Sequence, residues 1–148
     1  MREQPANDTN EIRATLARRV LFSSAHFYNQ KQFTAEKNRE TFGLCYTPYG
    51  HGHNYILEVF VSGPIDPHTK LVIDLADLDA MLKEVAALLD HRHLNFDIDE
   101  FKAKIPTTEN IALYLHEAVL SRLKVWPTLK LDRLRLYETD DLWAEVTA

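Results

Sequence analysis

Three histidines have types and spacing that could hold a metal ion. His51 and His53 are separated by Gly52 in a segment of alternating residues, so on a strand both imidazoles point to the same face. His26 lies at the end of an earlier segment that also alternates. Three neutral imidazoles with one open position form a common catalytic zinc site. The spacing indicates a candidate zinc site, and it leaves open that these are solvent-facing histidines on an edge strand.

A lone cysteine and an Asp-His pair could supply acid–base chemistry. Cys45, the single cysteine, lies six residues before His51. Near a dication, a thiol can titrate low enough to act as a base, although a lone cysteine is also a common small buried side chain. Asp90 precedes His91 at the end of a predicted helix, where a carboxylate could orient the imidazole. The alternative is a solvated histidine that favours the negative end of the helix dipole.

Two glutamates are further candidates. Glu109 lies in the first turn of a predicted helix, where it could offset the dipole or accept two parallel N–H bonds from a guanidine-like edge of a ligand. Glu138 ends an apolar strand before Thr139 and Asp140. It is either a turn residue or a member of an acid–base relay.

Apolar periodicity predicts the elements that position these residues. Strands are expected over 18–27, 51–61, 71–73, 129–138 and 142–147, and helices over about 75–90 and 108–125. Asp74 is the expected cap of the first helix, and Thr107 or Thr108 of the second. The order favours an α+β fold, an antiparallel sheet with two helices on one face.

The intervening segments give weaker signals. Residues 30–42 are polar and are expected to form a long loop that could include a short helical turn, and residues 91–104 are polar and irregular. The alternation slips near Asp132 and Arg133, which indicates a β-bulge. His68 and His116 are expected at the surface.

Length and composition exclude several protein classes. The 148 residues suit a single domain, expected over 17–148 after a flexible or disordered lead over 1–16. One cysteine excludes an internal disulfide, and the net charge of −5 argues against general nucleic-acid binding. The sequence has no apolar stretch of about 18 residues that could span a membrane, and its start lacks the apolar core of a signal peptide. A cytoplasmic location is expected.

Five short motifs occur in an order that resembles the 6-pyruvoyltetrahydropterin synthase family. That family includes the 6-carboxy-5,6,7,8-tetrahydropterin synthases of queuosine (7-deazaguanine) biosynthesis. The resemblance covers about residue 17 to the C-terminus. The motifs are Ser24-Ala25-His26, Cys45-x5-His51-Gly52-His53-Asn54-Tyr55, Asp90-His91, Pro106-Thr107-Thr108-Glu109-Asn110 and Tyr137-Glu138-Thr139-Asp140.

The resemblance implies a fold, an assembly, a substrate and a set of residue roles. The fold is the tunnelling fold (T-fold), a four-stranded antiparallel sheet with two helices on one face. Its subunits join into a trimeric barrel, and two trimers form a hexamer. The substrate is 7,8-dihydroneopterin triphosphate. The implied roles are zinc ligands (His26, His51, His53), proton-abstracting base (Cys45), relay supplied by a neighbouring subunit (Asp90, His91), further acid–base residue (Glu138) and pterin site (Glu109, with Thr107 and Thr108).

The resemblance also leaves two products open. The pyruvoyl enzymes eliminate triphosphate and rearrange the substrate internally, whereas the carboxy enzymes also release acetaldehyde. The five residues between Cys45 and His51, and the long segment before Cys45, favour the pyruvoyl product. Lys31, Lys37 and Arg39 are candidates for binding the triphosphate. A zinc hydrolase that uses the same three histidines, and a non-catalytic oligomer with solvated histidines, are the alternatives from other classes.

Overall fold

A computed structural model describes residues 11–147, which form one five-stranded sheet with helices packed on it. Its strands in chain order are β1 (Arg13–His26), β2 (His51–Pro64), β3 (Arg92–His93), β4 (Lys130–Thr139) and β5 (Leu142–Thr147). Their spatial order is β3-β1-β2-β4-β5. The four longer strands pair antiparallel, as predicted, and the two-residue β3 adds a parallel pairing to β1.

Two longer helices cover one face of this sheet. The helices are α1 (Ala35–Phe42), α2 (Leu75–Ala87), α3 (Leu94–Asp97), α4 (Glu100–Ala103) and α5 (Thr108–Leu123). Helix α2 contacts β1, and α5 contacts β4 and β5. Alternate residues of β2 point toward the helices and are fully buried, among them Tyr55, Leu57, Val59 and Val61. The core therefore lies between the helices and one face of the sheet, in the predicted α+β arrangement.

Side-chain caps begin both helices where the sequence predicts. The Asp74 carboxylate accepts a hydrogen bond of 2.8 Å from the Ala76 N–H. The Thr107 hydroxyl accepts one of 3.1 Å from the Asn110 N–H, so Thr107, and not Thr108, is the cap of α5. Each cap satisfies a backbone donor that has no partner within the helix.

The predicted loop over residues 30–42 is wrong in its second half, which forms α1. Thr34 caps this helix by accepting from the Lys37 N–H at 3.1 Å. Buried Asn38 ties the helix to the preceding turn, since its amide accepts from the Gln30 N–H at 2.8 Å and donates to the Gln30 carbonyl at 3.1 Å. The helix has little apolar surface, so apolar periodicity could not reveal it.

The returning strand predicted over 71–73 does not form. Strand β2 already pairs with β1 on one side and β4 on the other, so it has no free edge for a hairpin partner. A tight turn replaces the hairpin, in which the Asp66 carboxylate accepts from the N–H groups of His68 and Thr69 at 2.8 and 2.7 Å. The chain then enters α2 directly through its cap at Asp74.

Strand pairing sets the positions of the site residues. In the β1–β2 register, His26 lies opposite His51, and Ser24 lies opposite His53. The predicted bulge is confirmed, because Phe60 pairs with Arg133 and Val61 with Leu131, which leaves Asp132 as the extra residue. The first strand begins at Arg13, so the predicted boundary between residues 16 and 17 falls inside β1. Residues 1–10 of the predicted lead lie outside the described residues.

Candidate metal centre and active site

Strand pairing brings the three predicted histidines together on the helix-covered face. One ligand atom from each of His26, His51 and His53, with a carboxylate oxygen of Glu138, all lie within 4.8 Å of one another. Strands β1 and β2 supply the imidazoles, and β4 supplies the carboxylate. Glu138 was predicted from the sequence as an acid–base residue, but its position beside the histidines was not predicted.

The atoms of this cluster converge without satisfying one another. Glu138 Oε1 lies 2.8 Å from His53 Nε2 and 3.3 Å from His26 Nε2. Despite the short separation, His53 Nε2 is not aligned for a hydrogen bond, and both it and His51 Nδ1 are buried without a partner. A buried polar atom without a partner costs about 1–3 kcal/mol, a cost that a bound cation removes. The residues present therefore fit a metal ion.

A backbone carbonyl orients the most buried ligand. His26 Nδ1 lies 2.8 Å from the Pro106 carbonyl oxygen, and the ring is fully buried. Because a carbonyl can only accept, this contact assigns the ring proton to Nδ1 and leaves the Nε2 lone pair facing the cluster. A metal-binding histidine commonly makes such a contact through its other nitrogen.

The charge states of the cluster suit a dication. Burial is the main cause of a lowered pKa at both His51 and His53. The His26 imidazole adds to the effect at both rings and the Glu138 charge opposes it, and the net lowering keeps these rings neutral at pH 7. The adjacent His26 imidazole, together with a hydrogen bond of 2.7 Å from the Thr108 hydroxyl, lowers the pKa of Glu138 to about 2 against the effect of burial. Three neutral imidazoles and one carboxylate are donors that zinc and similar transition metals accept.

Cys45 lies close enough to this cluster to sense its charge. It ends a 3₁₀ turn, and its carbonyl accepts from the Tyr28 N–H at 2.7 Å. Burial and the negative charge of Glu138 raise the pKa of the Cys45 thiol. The protein groups alone thus favour the thiol over the thiolate. A cation at the histidines would oppose the Glu138 charge and favour the thiolate.

Asp90 and His91 form the predicted pair, held at the edge of β1. His91 Nδ1 lies 3.0 Å from Asp90 Oδ2, and the other carboxylate oxygen accepts from the Ser23 N–H at 2.9 Å. That Ser23 contact is the main cause of a lowered Asp90 pKa. His91 has a left-handed backbone, φ 57°, which lets these adjacent side chains meet. Its side chain is 85% exposed, and no hydrogen bond or ion pair within residues 11–147 joins the pair to Cys45.

The predicted pterin-binding residues occupy the start of α5 in three different environments. Thr107 is the helix cap, and Thr108 donates its hydroxyl hydrogen bond to Glu138. Glu109 is exposed on the first turn, and its carboxylate has no hydrogen-bond partner among the described residues. Of the three, Glu109 alone presents an unpaired acceptor to solvent.

Two further groups contact the site without having been proposed for it from the sequence. Tyr55 continues the alternation of His51 and His53, and its hydroxyl lies 3.3 Å from His26 Nδ1. Burial raises the pKa of Tyr55 well above its ordinary value, so it remains a neutral phenol. Nothing in the sequence indicated the Pro106 carbonyl, because it is a backbone group.

One predicted surface histidine is buried. His116 lies on α5 and is 7% exposed, with Nε2 lacking a hydrogen-bond partner among the described residues. The buried stripe of α5 is wider than its apolar residues alone indicate, and it includes His116 beside Leu115. His68 is exposed, as predicted. No helix within residues 11–147 is long and apolar enough to cross a bilayer.

Comparison with known proteins agrees with this geometry. The family model for 6-pyruvoyl tetrahydropterin synthase matches residues 15–148. The 6-pyruvoyl tetrahydrobiopterin synthase of Homo sapiens is 40% identical over 129 residues, which are 86% of this chain and 87% of the human protein. A putative 6-carboxy-5,6,7,8-tetrahydropterin synthase of Archaeoglobus fulgidus is 36% identical over 65% of this chain and 76% of its own length.

Solved structures agree with the sequence matches. The 6-pyruvoyl tetrahydropterin synthase of Caenorhabditis elegans superposes with a TM-score of 0.86 at 33% identity, covering 93% of this chain and 97% of the other. A Plasmodium vivax structure of the same name, at 21% identity and a TM-score of 0.64, shares the fold. On the sequence match, the fold and the histidine cluster together, the chain belongs to the 6-pyruvoyl tetrahydropterin synthase family.

Proposed function

We propose that the protein is a zinc-dependent lyase that converts 7,8-dihydroneopterin triphosphate to 6-pyruvoyl-5,6,7,8-tetrahydropterin and triphosphate. The observation that carries the proposal is the convergence of His26, His51, His53 and Glu138 in a chain 40% identical to the human 6-pyruvoyl tetrahydrobiopterin synthase. Zinc suits these donors because it is bound by imidazole and carboxylate in catalytic sites. When bound, zinc supplies a Lewis acid that polarises an oxygen of the substrate side chain and makes the neighbouring C–H more acidic.

The residues around the cluster divide the proton transfers between them. Cys45 is the proposed base that removes a proton from a carbon of the substrate side chain, and triphosphate leaves when its C–O bond breaks. His91, oriented by Asp90 at 3.0 Å, is the proposed group that returns protons. Glu138 is proposed as a further acid–base residue that accepts a proton when it is not bound to the metal, and its position beside two imidazoles and the Thr108 hydroxyl supports this role.

Glu109 is the proposed anchor of the pterin ring. The 2-amino group and N3–H of a pterin form a planar edge with two donors, which a carboxylate can accept in parallel as it accepts guanidinium. The exposed and unpaired carboxylate at the start of α5 supports this role. Thr107 and Thr108 directly precede it, and we propose that they shape the same end of the site.

We further propose that the active site is completed in a homohexamer, a dimer of trimers. His91 is largely exposed, as a group that serves a neighbouring subunit must be. Both edges of the sheet support barrel closure, since β5 and most of β1 have one side without a strand partner among residues 11–147. Leu21 and Trp143, on the face away from the helices, are 61% and 47% exposed. A reduced thiol as base suits the cytoplasm as the proposed compartment.

A second product is the alternative. The similarity to the Archaeoglobus fulgidus protein favours a 6-carboxy-5,6,7,8-tetrahydropterin synthase, which acts on the same substrate and also releases acetaldehyde. The human relative matches more of this chain, 86% against 65%, which is why we favour the pyruvoyl product.

Mass spectrometry of the products tests both. Zinc-loaded protein incubated with 7,8-dihydroneopterin triphosphate is expected to release triphosphate and the pyruvoyl compound. A carboxy product with acetaldehyde would show that the protein is the carboxy synthase and not the pyruvoyl synthase. Unconsumed substrate in the presence of bound zinc would refute both.

A further inference from the structure

Most arginines of the described chain are already engaged with carboxylates. Two of them, Arg39 and Arg92, have no carboxylate oxygen within 4.0 Å and make no side-chain hydrogen bond among residues 11–147. The engaged pairs are Arg13–Glu11, Arg18–Asp79, Arg19–Glu58, Arg122–Glu84, Arg133–Glu145 and Arg135–Glu145. An exposed guanidinium without a partner is available for an anionic ligand.

Arg92 differs from Arg39 in its position, because it lines a cavity beside the proposed relay. This open cavity has a volume of about 450 Å³, and Arg92 shares its wall with His91, His93, His53 and Asn54. No Asp or Glu is among the residues that line it. The nearest carboxylate in sequence, Asp90, is already held by the Ser23 N–H and by His91.

The backbone of Arg92 is fixed by the sheet. It belongs to β3 and pairs with Ser24 of β1, two residues before the proposed ligand His26. His91, directly before it, donates its N–H to the Ser23 carbonyl at 2.7 Å. A side chain on this short strand therefore starts from a defined point at the edge of the sheet that holds all three imidazoles.

The lysines around the other large cavity are weaker anion ligands. That cavity, of about 560 Å³, is lined by Lys31, Lys102 and Lys104. Lys102 and Lys104 are paired with Asp99 and Glu100 at 2.9 and 2.7 Å, and Lys31 donates to the Lys102 carbonyl at 3.2 Å. An anion there would have to compete with these contacts.

We propose that Arg92 binds the phosphate tail of the substrate, an inference that rests on the proposed function. A triphosphate brings several negative charges to a chain whose own net charge is −5, so at least one local cation must offset them. A guanidinium can donate two parallel hydrogen bonds to phosphate oxygens, which gives both charge and orientation. Beside His91, this contact places the leaving group next to the residues that transfer protons.

Substitution of Arg92 tests the proposal in two assays, turnover of the pterin substrate and binding of inorganic tripolyphosphate without the pterin. For Arg92→Gln we expect the KM for 7,8-dihydroneopterin triphosphate, and the Kd for inorganic tripolyphosphate measured by calorimetry, to rise about tenfold or more. Arg92→Lys should restore part of the KM and part of the tripolyphosphate affinity, because lysine keeps the positive charge but lacks the two parallel N–H donors of a guanidinium. Zinc content and Tm should match the wild type. Arg13→Gln, at the far end of β1, is the matched control.

The outcomes separate this proposal from the proposed function. If Arg92→Gln changes neither the KM nor the tripolyphosphate Kd by more than about twofold, the proposal is wrong. A loss of tripolyphosphate binding in Arg39→Gln but not in Arg92→Gln would move the site to α1 and also overturn it. If the wild type does not turn over the pterin but loses tripolyphosphate binding with Arg92→Gln, the proposed function fails and the anion site stands.

Discussion

Removal of the Thr108 hydroxyl should weaken metal binding while leaving the fold intact. By resemblance, Thr108 belongs to the pterin site, whereas the structure directs its hydroxyl to Glu138 at 2.7 Å. The two residues are 4% and 7% exposed, so water cannot replace the lost donor. Thr108→Val is close to isosteric and removes the hydroxyl that makes this bond.

The size of the effect follows from the type of hydrogen bond. A bond to a buried carboxylate is worth about 1.5–3 kcal/mol. If it acts by holding Glu138 toward the imidazoles, its loss corresponds to a decrease in zinc affinity of about 10- to 150-fold. This agrees with the 10- to 100-fold losses common for residues that support metal ligands.

Competition with a chromogenic chelator measures the affinity, and Thr108→Ser, which keeps the hydroxyl, is the matched control. Zinc affinity in Thr108→Val equal to that of wild type and Thr108→Ser would refute the reasoning. A normal zinc affinity with a raised KM for the pterin would return Thr108 to the substrate site. A calorimetric scan with zinc present establishes that each variant is folded.

Three further outcomes are expected. Cys45→Ala should abolish turnover and keep a full complement of metal by elemental analysis, so full activity in that variant would exclude Cys45 as the base. Gly50→Ala should lower the Tm and the metal content, because Gly50 has φ 83° and a Cβ there would lie 2.8 Å from the His26 carbonyl oxygen. An unchanged Tm would contradict this steric argument. Leu115 is in the core at 0% exposure, and Leu115→Ala should lower the free energy of unfolding, measured with urea, by about 2–5 kcal/mol. Leu113→Ala, at 52% exposure on the same helix, should lower it far less. Equal losses in the two variants would contradict the assigned buried face of the helix.

The local pattern of the sequence accounts for much of the fold. Alternation in β2 predicts that His51, His53 and Tyr55 share a face, because a strand repeats every two residues. The caps at Asp74 and Thr107 are predicted for a similar reason, since capping depends on residues only two or three positions away. The bulge at Asp132 was also visible in the local pattern as a slip in alternation.

Local patterns failed where a distant element decided the outcome. The strand expected over 71–73 depended on whether β2 had a free edge, and β4 occupies that edge. Helix α1 depends on the polar contacts of Asn38, which apolar periodicity does not report. Burial of His116 depends on how the rest of the domain packs against α5.

The sequence by itself determined the α+β class, the three histidines as a candidate set, the single thiol and the Asp90–His91 pair. Tertiary structure decided that Glu138 joins the histidines, that the Pro106 carbonyl orients His26, and that Arg92 lines a cavity beside His91 with no carboxylate partner in residues 11–147. The physical reason is the distance along the chain over which the interactions act. Side-chain direction and capping arise from neighbours in the chain, whereas the meeting of β1, β2, β4 and the start of α5 depends on strand register and packing across the whole domain.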